Sequence, residues 1–281
     1  MFVILALASA AFYGAADFLG GIASKRADSV VVTFVAQSAG LVLLVFLLPV
    51  LPSSSPVRGD YVWGVAAGVA GSAGVALLYR ALAIGTMSIV APITAVCAAA
   101  VPVLVALALG ERPGILAGMG IVLTAVAITL LSRGQSSAPP AGKRWATTSI
   151  GMALISGVAV GLFFLCLAQT SDDAGLWPLI AGRSVSVPLF GLMAARKPQS
   201  VRLELRVAMT AVGCGTVDML ANALYLIATR HGPLSLVATL ASLYPASTVL
   251  LARVTLGERL SGSQALGVAC ALVAVVLIVS T

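Results

Sequence analysis

The chain has 281 residues, of which 60% are hydrophobic and only 9% are charged, and its formal net charge is +7. A soluble domain carries about 25% charged residues, so this composition excludes a surface that is covered mainly by water. The positive charges lie in short segments between long apolar runs, without an aromatic-rich basic platform for stacking bases, which argues against nucleic acid as a partner.

Apolar runs of about 20 residues follow one another along the chain, and this length crosses a hydrocarbon core about 30 Å thick. Backbone in lipid must satisfy its own hydrogen bonds, so each run is predicted to be a helix. A β-barrel is disfavoured because residues 41–48 (LVLLVFLL) show no alternation. In chain order, the ten predicted helices span residues 2–23, 30–51, 61–83, 87–109, 114–132, 147–169, 176–195, 206–229, 234–256 and 262–280.

One stretch of the sequence is repeated in the second half. Residues 88–112 (SIVAPITAVCAAAVPVLVALALGER) align without a gap with residues 235–259 (SLVATLASLYPASTVLLARVTLGER). The prediction is therefore two related five-helix repeats, at 1–134 and 147–281, joined by a Pro- and Ser-rich linker at 135–146. Five crossings is an odd number, so the second repeat is expected to enter the membrane inverted. The predicted fold class is an all-α polytopic membrane protein with ten transmembrane helices.

Several motifs together carry a resemblance to a known family. They are residues 78–85 (LYRALAIG), 88–92 (SIVAP) and 242–245 (SLYP), with the Leu-Gly-Glu-Arg endings at 109–112 and 256–259. Their order and duplication resemble the EamA-domain type of the drug/metabolite transporter superfamily. The resemblance implies a secondary transporter that moves a small metabolite, amino acid or drug by alternating access, often outward. It also implies a central cavity between the halves.

The two halves differ within the repeated stretch. Thr239 stands where the first half has Pro92, and Cys97-Ala98 stand where the second half has Tyr244-Pro245. A substrate site built from both halves therefore need not be symmetric.

Other function classes fit less well. There is no Gly-rich phosphate loop ending in Gly-Lys-Ser/Thr, which disfavours an ATP-driven transporter. A single histidine in a loop, His231, and the absence of HExxH spacing make an intramembrane enzyme a poor alternative, so the chain is expected not to be an enzyme. The four cysteines are not at metal-ligand spacing, and neither a metal nor a cofactor is expected. A passive channel remains an alternative, and a liposome assay can distinguish its uncoupled conductance from the coupled uptake of a transporter.

Basic residues are unevenly divided between the two sides of the predicted bundle. One side carries Lys25, Arg26, Arg133, Lys143, Arg144, Arg196, Lys197, Arg202, Arg206 and Arg259, and the other carries Arg58, Arg112 and Arg230. The positive-inside rule then places both termini outside the cell. The family resemblance implies the opposite, with both termini in the cytoplasm. Either way the chain is expected to cross the cell membrane several times. It is expected to be a monomer or a homodimer.

Charged residues within the apolar runs are the candidate site, because a charge at the bilayer centre costs about 2.5–3.5 kcal/mol on insertion scales. Arg183 and Asp218 are the deepest. They could form a pair, or an anion site at Arg183 with a proton-sensitive carboxylate at Asp218, so protons or another coupling ion are candidate partners beside a small-molecule substrate. The alternative is an ion pair that only locks two helices together.

Further candidates are weighed in the same way. Asn222 and Tyr225 share a helix face with Asp218, at i+4 and i+7, and this polar stripe should line a path or bond neighbouring helices. Asp17 lies in the first predicted helix, about two turns from its end. Arg80 is nearer a helix end and follows Tyr79, which adds a stacking surface. The last candidate is Tyr244, in the SLYP run.

Overall fold

The computed structural model describes residues 1–48, 54–85, 87–131, 143–196, 203–256 and 261–279, and within these ranges the chain is helical without strands. Six helices are long and apolar enough to cross a membrane, and four further apolar segments are shorter. The helices are α1 (Phe2–Arg26), α2 (Ser29–Leu47), α3 (Arg58–Ile84), α4 (Met87–Ala108), α5 (Ile115–Leu131), α6 (Lys143–Ala168), α7 (Trp177–Ala195), α8 (Leu205–Thr229), α9 (Leu234–Ala241), α10 (Tyr244–Leu256) and α11 (Gly262–Val279).

The ninth predicted helix, over 234–256, is broken into α9 and α10. Pro245 has no N–H, so it cannot donate to the carbonyl of Ala241 one turn before it, whereas a proline is tolerated near a helix start. In the first half α4 runs without interruption through Cys97 and Ala98, the equivalents of Tyr244 and Pro245. The sequence difference between Tyr244-Pro245 and Cys97-Ala98 therefore corresponds to a broken helix in the second half and a continuous helix in the first.

Helix α6 extends into the segment predicted as linker. Helix α6 begins at Lys143, so the last part of the segment predicted as linker, 143–146, is helical. The rest of that segment, 135–142, lies outside the described residues, as does the second Gly-Glu-Arg ending at 257–259.

The contacts between helices of the two halves form the same pattern when the halves are interchanged. Helix α3 packs on α6 and α1 packs on α8; likewise, α2 packs on α8 and α3 on α7, and α4 on α6 and α1 on α10. When each helix is replaced by its counterpart in the other half, the members of each of these pairs of contacts exchange places. The contacts of α2 with α7 and of α5 with α11 map onto themselves. The interface between the halves thus has the pattern of an approximate two-fold axis.

Glycines let these helices approach closely. A Cβ on Gly215 of α8 would collide with the carbonyl of Ala36 on α2, and one on Gly68 of α3 would lie 2.5 Å from the carbonyl oxygen of Gly182 on α7. Backbone approach of this kind is how small residues support helix packing where lipid supplies no hydrophobic driving force. Both contacts join one half to the other.

A polar network ties the halves together at the end of the bundle where α1 begins, which we call the Met1 end. The carboxylate of Asp60, in the first turn of α3, accepts hydrogen bonds from the Ser171 N–H at 2.7 Å and the Ser171 hydroxyl at 2.8 Å. Arg230, which follows α8, donates to the carbonyl of Gly175 at 2.7 Å. Ser55 donates its N–H to the carbonyl of Asp173 at 3.0 Å. The opposite end, where α1 ends, we call the Arg26 end.

The first Leu-Gly-Glu-Arg ending has a structural role at the Met1 end. Gly110 has a φ of 95°, and the bonds from Gly110 N–H to Leu107 and from Glu111 N–H to Ala106 form the glycine C-cap of α4. The Glu111 carboxylate then accepts hydrogen bonds from the N–H and hydroxyl of Ser235, in the first turn of α9. A carboxylate at a helix N-terminus is favourable, so this motif links α4 to the second half.

Candidate functional site: a cavity between the two halves

A cavity lies between the helices of the two halves, with about 760 Å³ of empty space when its open mouth is included. Both halves supply its wall: α1, α2 and α3 from the first, and α6, α7, α8 and α10 from the second. Most of the wall is apolar. Its polar lining residues are Tyr13, Asp17, Gln37, Ser72, Arg183, Ser186, Asp218, Asn222 and Tyr244.

Arg183 and Asp218 form an ion pair in this wall. The Arg183 Nη2 lies 2.5 Å from the Asp218 Oδ2, and the two side chains are 10% and 20% exposed. Asn222, one turn along α8, donates its amide to the same Oδ2 at 3.0 Å and accepts a hydrogen bond from the Tyr13 hydroxyl at 2.9 Å. A chain of hydrogen bonds therefore joins α7, α8 and α1 across the boundary between the halves.

Asp17 is the third charged residue of the wall. Its carboxylate forms no hydrogen bond or ion pair with any residue that the structure describes, although it is close enough to Asp218 for the two negative charges to repel. Isolated carboxylates in apolar surroundings are costly, so such a group is expected to be hydrated, protonated or bound to a ligand.

Aromatic rings form one continuous surface beside these charges. The ring centroids of Tyr13 and Phe164 are 5.6 Å apart, and those of Tyr13 and Tyr244 are 6.4 Å apart. Phe163 lies 5.7 Å from Phe164 and extends the surface along α6. The site thus places charged groups beside the apolar faces of aromatic rings.

Equivalent positions of the two repeats face the cavity. The offset of 147 residues that aligns Ser88 with Ser235 also pairs four sets of lining residues. They are Tyr13 with Val160, Asp17 with Phe164, Gly71 with Asp218, and Val75 with Asn222. In each pair one residue is polar and the other is apolar or glycine. At these positions the two repeats therefore contribute equivalent backbone sites to the cavity wall but different side chains.

Five of the eight predicted site residues line this cavity, namely Asp17, Arg183, Asp218, Asn222 and Tyr244, and three do not. Tyr79 is buried against Gly20 of α1 and its hydroxyl lies 3.0 Å from the Cys214 sulfur. Arg80 is the next residue on the helix and is exposed, because one helical step turns it away from the bundle. Tyr225 is stacked on Phe164, with centroids 4.4 Å apart, so that Phe164 separates it from the cavity. Tyr79, Arg80 and Tyr225 thus lie outside the wall of this cavity, and their role in the pathway stays a prediction.

Other lining residues were not predicted as site residues. Gln37 accepts a hydrogen bond from Ser186 at 3.0 Å across the α2–α7 contact, and the Ser72 hydroxyl bonds to the carbonyl of Gly68 at 2.6 Å. Tyr13 had a usable signal, because it precedes Asp17 by four residues and therefore shares its face of α1. Phe164 had none, since it is one of many apolar residues in its helix.

Metal chemistry has no candidate in the described part of the chain, where no group of three or more His, Cys, Asp or Glu side chains converges. The cysteines are free, and Cys214 is buried. The polar groups of the cavity are thus the chemistry that this wall offers to a ligand.

Comparison with known proteins identifies the architecture. A sequence model of the EamA-like transporter family matches the chain twice, over residues 1–133 and again over residues 147–280. The chain belongs to the EamA-like transporter family. The resemblance and the tandem repeat inferred from the sequence motifs are confirmed by these two matches.

A solved structure supports the same fold for this EamA-like protein. It is described only as the crystal structure of a protein, and it superposes with a TM-score of 0.76 at 15% sequence identity. The match covers 98% of the EamA-like chain and 95% of that chain, and at this identity it shows the fold alone. No match was found among curated proteins. With its apolar helices and its family, the protein is a multi-pass membrane protein of the transporter type.

Proposed function

We propose that this protein is a secondary transporter that moves a small organic solute across the cell membrane by alternating access. The solute class implied by the family resemblance is a metabolite, an amino acid or a drug, and the implied direction is export. The two repeats are inverted relative to each other in this proposal, so that exchanging their conformations exchanges the side from which the cavity is reached.

One observation carries the proposal: the cavity lies between the halves and is lined from both by repeat-equivalent positions such as Asp17 and Phe164. A single site of this kind is reached from either side when the halves rock about it. Because the bundle is held at the Met1 end by contacts of Asp60 and Glu111, those contacts must break and reform in each transport cycle.

The proposed orientation places the Arg26 end in the cytoplasm, on the strength of the excess of Lys and Arg at that end. Single cysteines at exposed positions test it in a background without native cysteines. Val57→Cys lies at the Met1 end, where Val57 is 57% exposed, and Leu205→Cys lies at the Arg26 end, where Leu205 is 74% exposed. A membrane-impermeant thiol reagent should label the first in intact cells and the second only after permeabilisation; the reverse pattern would place both termini inside.

Counterflow in proteoliposomes tests transport itself. Vesicles are preloaded with one unlabelled solute at a time from an amine, amino acid and metabolite panel, and uptake of the same labelled solute at trace concentration is followed. A transporter exchanges the two and accumulates label transiently, whereas a channel shows ionic conductance without counterflow and an enzyme turns the solute over. Heat-denatured protein in the same vesicles is the control. Conductance without exchange would overturn the proposal.

Energy coupling is the remaining part of the proposal. Solute accumulation driven by a proton gradient is expected to depend on a carboxylate of the cavity, and Asp17 and Asp218 are the two carboxylates among its lining residues. Asp218→Asn should retain exchange but lose gradient-driven accumulation if Asp218 is that group. Asp17→Asn provides the parallel test of the second carboxylate, and full accumulation in both variants would exclude proton coupling through this wall.

A further inference from the structure

The charges of the cavity wall do not balance. Arg183 is neutralised by Asp218, with Nη2 and Oδ2 at 2.5 Å, and the amide of Asn222 supports the same carboxylate at 3.0 Å. Among the lining residues, Asp17 is the remaining charged group, and it has no hydrogen-bond or ion-pair partner in the described chain. With all three groups ionised, the wall therefore carries one negative charge in excess, located at Asp17.

The neutral polar groups around the cavity are largely occupied by the protein itself. The Ser186 hydroxyl donates to Gln37 at 3.0 Å, the Ser72 hydroxyl donates to the carbonyl of Gly68 at 2.6 Å, and the Tyr13 hydroxyl donates to Asn222 at 2.9 Å. These bonds hold the wall in shape and leave Asp17 as the lining carboxylate to which no described residue donates a hydrogen bond. A ligand that brings a positively charged donor satisfies this group and removes the excess charge.

The surroundings of Asp17 suit an organic cation better than an inorganic one. Tyr13 lies one helical turn before it on α1, and Tyr244 lines the same cavity. The rings of Tyr13 and Tyr244 approach edge to face at 6.4 Å, and Phe164 continues the same surface. Aromatic faces attract cations and also cover apolar groups, whereas small metal ions require several oxygen ligands.

We infer that Asp17 binds the protonated nitrogen of a monovalent organic amine, whose aromatic or alkyl body lies against the ring surface formed by Tyr13, Phe164 and Tyr244. An ammonium group forms charge-assisted hydrogen bonds to a carboxylate, and one positive charge matches the single excess negative charge of the wall. An anionic solute would be repelled by Asp17 and would have to displace Asp218 from Arg183. The inference rests on the proposed transport function and adds the class of solute.

A series of solutes that differ only in charge tests this directly. On one skeleton, 2-phenylethylamine is a cation, 2-phenylethanol is neutral and phenylacetate is an anion; octylamine, octanol and octanoate repeat the comparison without an aromatic ring. Binding to the purified full-length protein is measured by titration calorimetry, and counterflow of the same compounds is measured in proteoliposomes. We expect the amine of each set to bind at least about tenfold more tightly than its alcohol and its acid, since loss of a paired charge removes a comparable factor.

Two variants with the same chemical change locate the effect. Asp17→Asn removes the proposed ligand, and Asp28→Asn removes a carboxylate at the start of α2, where its oxygen accepts from the Val30 N–H at 2.9 Å and an amide oxygen can replace it. We expect amine binding to weaken at least about tenfold in Asp17→Asn and to stay within about twofold of wild type in Asp28→Asn. Binding of the alcohols should not change in either variant.

The outcomes separate this inference from the proposed function. Amine preference that survives Asp17→Asn, or binding without preference for the amine, overturns the role of Asp17 even if counterflow of another solute is seen. Amine binding that depends on Asp17, without exchange of any solute by the wild-type protein, supports the binding site and overturns the transport function. Tight binding of the acid that depends on Arg183 would show that the cavity selects anions and would also overturn the inference.

Discussion

Arg183 and Asp218 depend on each other because both lie in a mostly apolar wall, with side-chain exposures of 10% and 20%. We expect Arg183→Gln to destabilise the protein, because the carboxylate of Asp218 is then left without its partner, and breaking such a pair costs about 3–5 kcal/mol. The double variant Arg183→Gln/Asp218→Asn should recover part of this loss. The midpoint of thermal unfolding in detergent measures all three, and a double variant no better than Arg183→Gln would show that the pair is not the source of the effect.

Asp17 should behave in the opposite way. Its carboxylate has no partner among the described residues, so Asp17→Asn removes an uncompensated charge and leaves no other charge behind. We expect the unfolding midpoint to stay the same or rise in this variant. Asp218→Asn leaves the Arg183 guanidinium without its ion-pair partner and should lower the unfolding midpoint under the same conditions. A marked loss of stability in Asp17→Asn would indicate a structural partner for this carboxylate.

At the scale of single residues, the sequence singled out Arg183 and Asp218, which line the cavity, because ionisable side chains within apolar runs are rare and costly. It could not distinguish the paired carboxylate from the unpaired one, since that depends on how α1 and α7 cross α8. The displacement of Tyr225 from the cavity has a similar cause: the helix face was predicted, but the ring of Phe164 that covers it belongs to another helix.

Much of the helix pattern was predictable because the apolar runs are long, and six helices in the described ranges are long and apolar enough to cross a membrane. Polar residues mark some of the helix ends. Asp28, for example, is the N-cap of α2 and accepts from the Val30 N–H at 2.9 Å. The break between α9 and α10 was not predicted, although Pro245 was visible in the sequence. A proline within a transmembrane helix kinks it or interrupts it, and the surrounding packing decides between these outcomes.

Close helix contacts provide a test at the level of the element. A Cβ at Gly215 would collide with the carbonyl of Ala36, whereas one at Gly118 on α5 meets nothing within 4 Å. We expect Gly215→Ala to separate α8 from α2 and to destabilise the protein by about 1–3 kcal/mol, as overpacking does. Gly118→Ala is the matched control and should be neutral or stabilising, because alanine is the better helix former. Equal midpoints of thermal unfolding for the two variants would contradict the close approach of α2 and α8.

For the molecule as a whole, the network at the Met1 end makes a prediction about conformational change. Asp60→Asn weakens the bonds between α3 and the Ser171 segment, because the amide keeps one acceptor oxygen and loses the charge. We therefore expect the cavity to open more often at the Met1 end. With Ser72→Cys as a reporter in the cavity, an impermeant thiol reagent applied from that end should react several times faster in Asp60→Asn.

Asp28→Asn, at the Arg26 end, is the control for this measurement, since it makes the same chemical change away from the network. Unchanged labelling of Ser72→Cys in Asp60→Asn would show that the Met1-end contacts do not limit access to the cavity. Faster labelling from the Arg26 end only would indicate that the two ends are coupled in the opposite sense to alternating access.

At four equivalent positions of the two repeats, one lining residue is polar and the other is apolar or glycine, so each repeat contributes different groups to the cavity. A dimer made of two first halves would place two Asp17 carboxylates in one chamber without Arg183, and a dimer of two second halves would contain two Arg183–Asp218 pairs and no free acid. Neither assembly would combine one Arg183–Asp218 ion pair with a single unpaired carboxylate. In a single chain the two repeats need not be identical, so one position can carry a charged side chain while its counterpart carries an apolar one, as at Asp17 and Phe164. The mixture of charges in this cavity wall therefore requires both repeats.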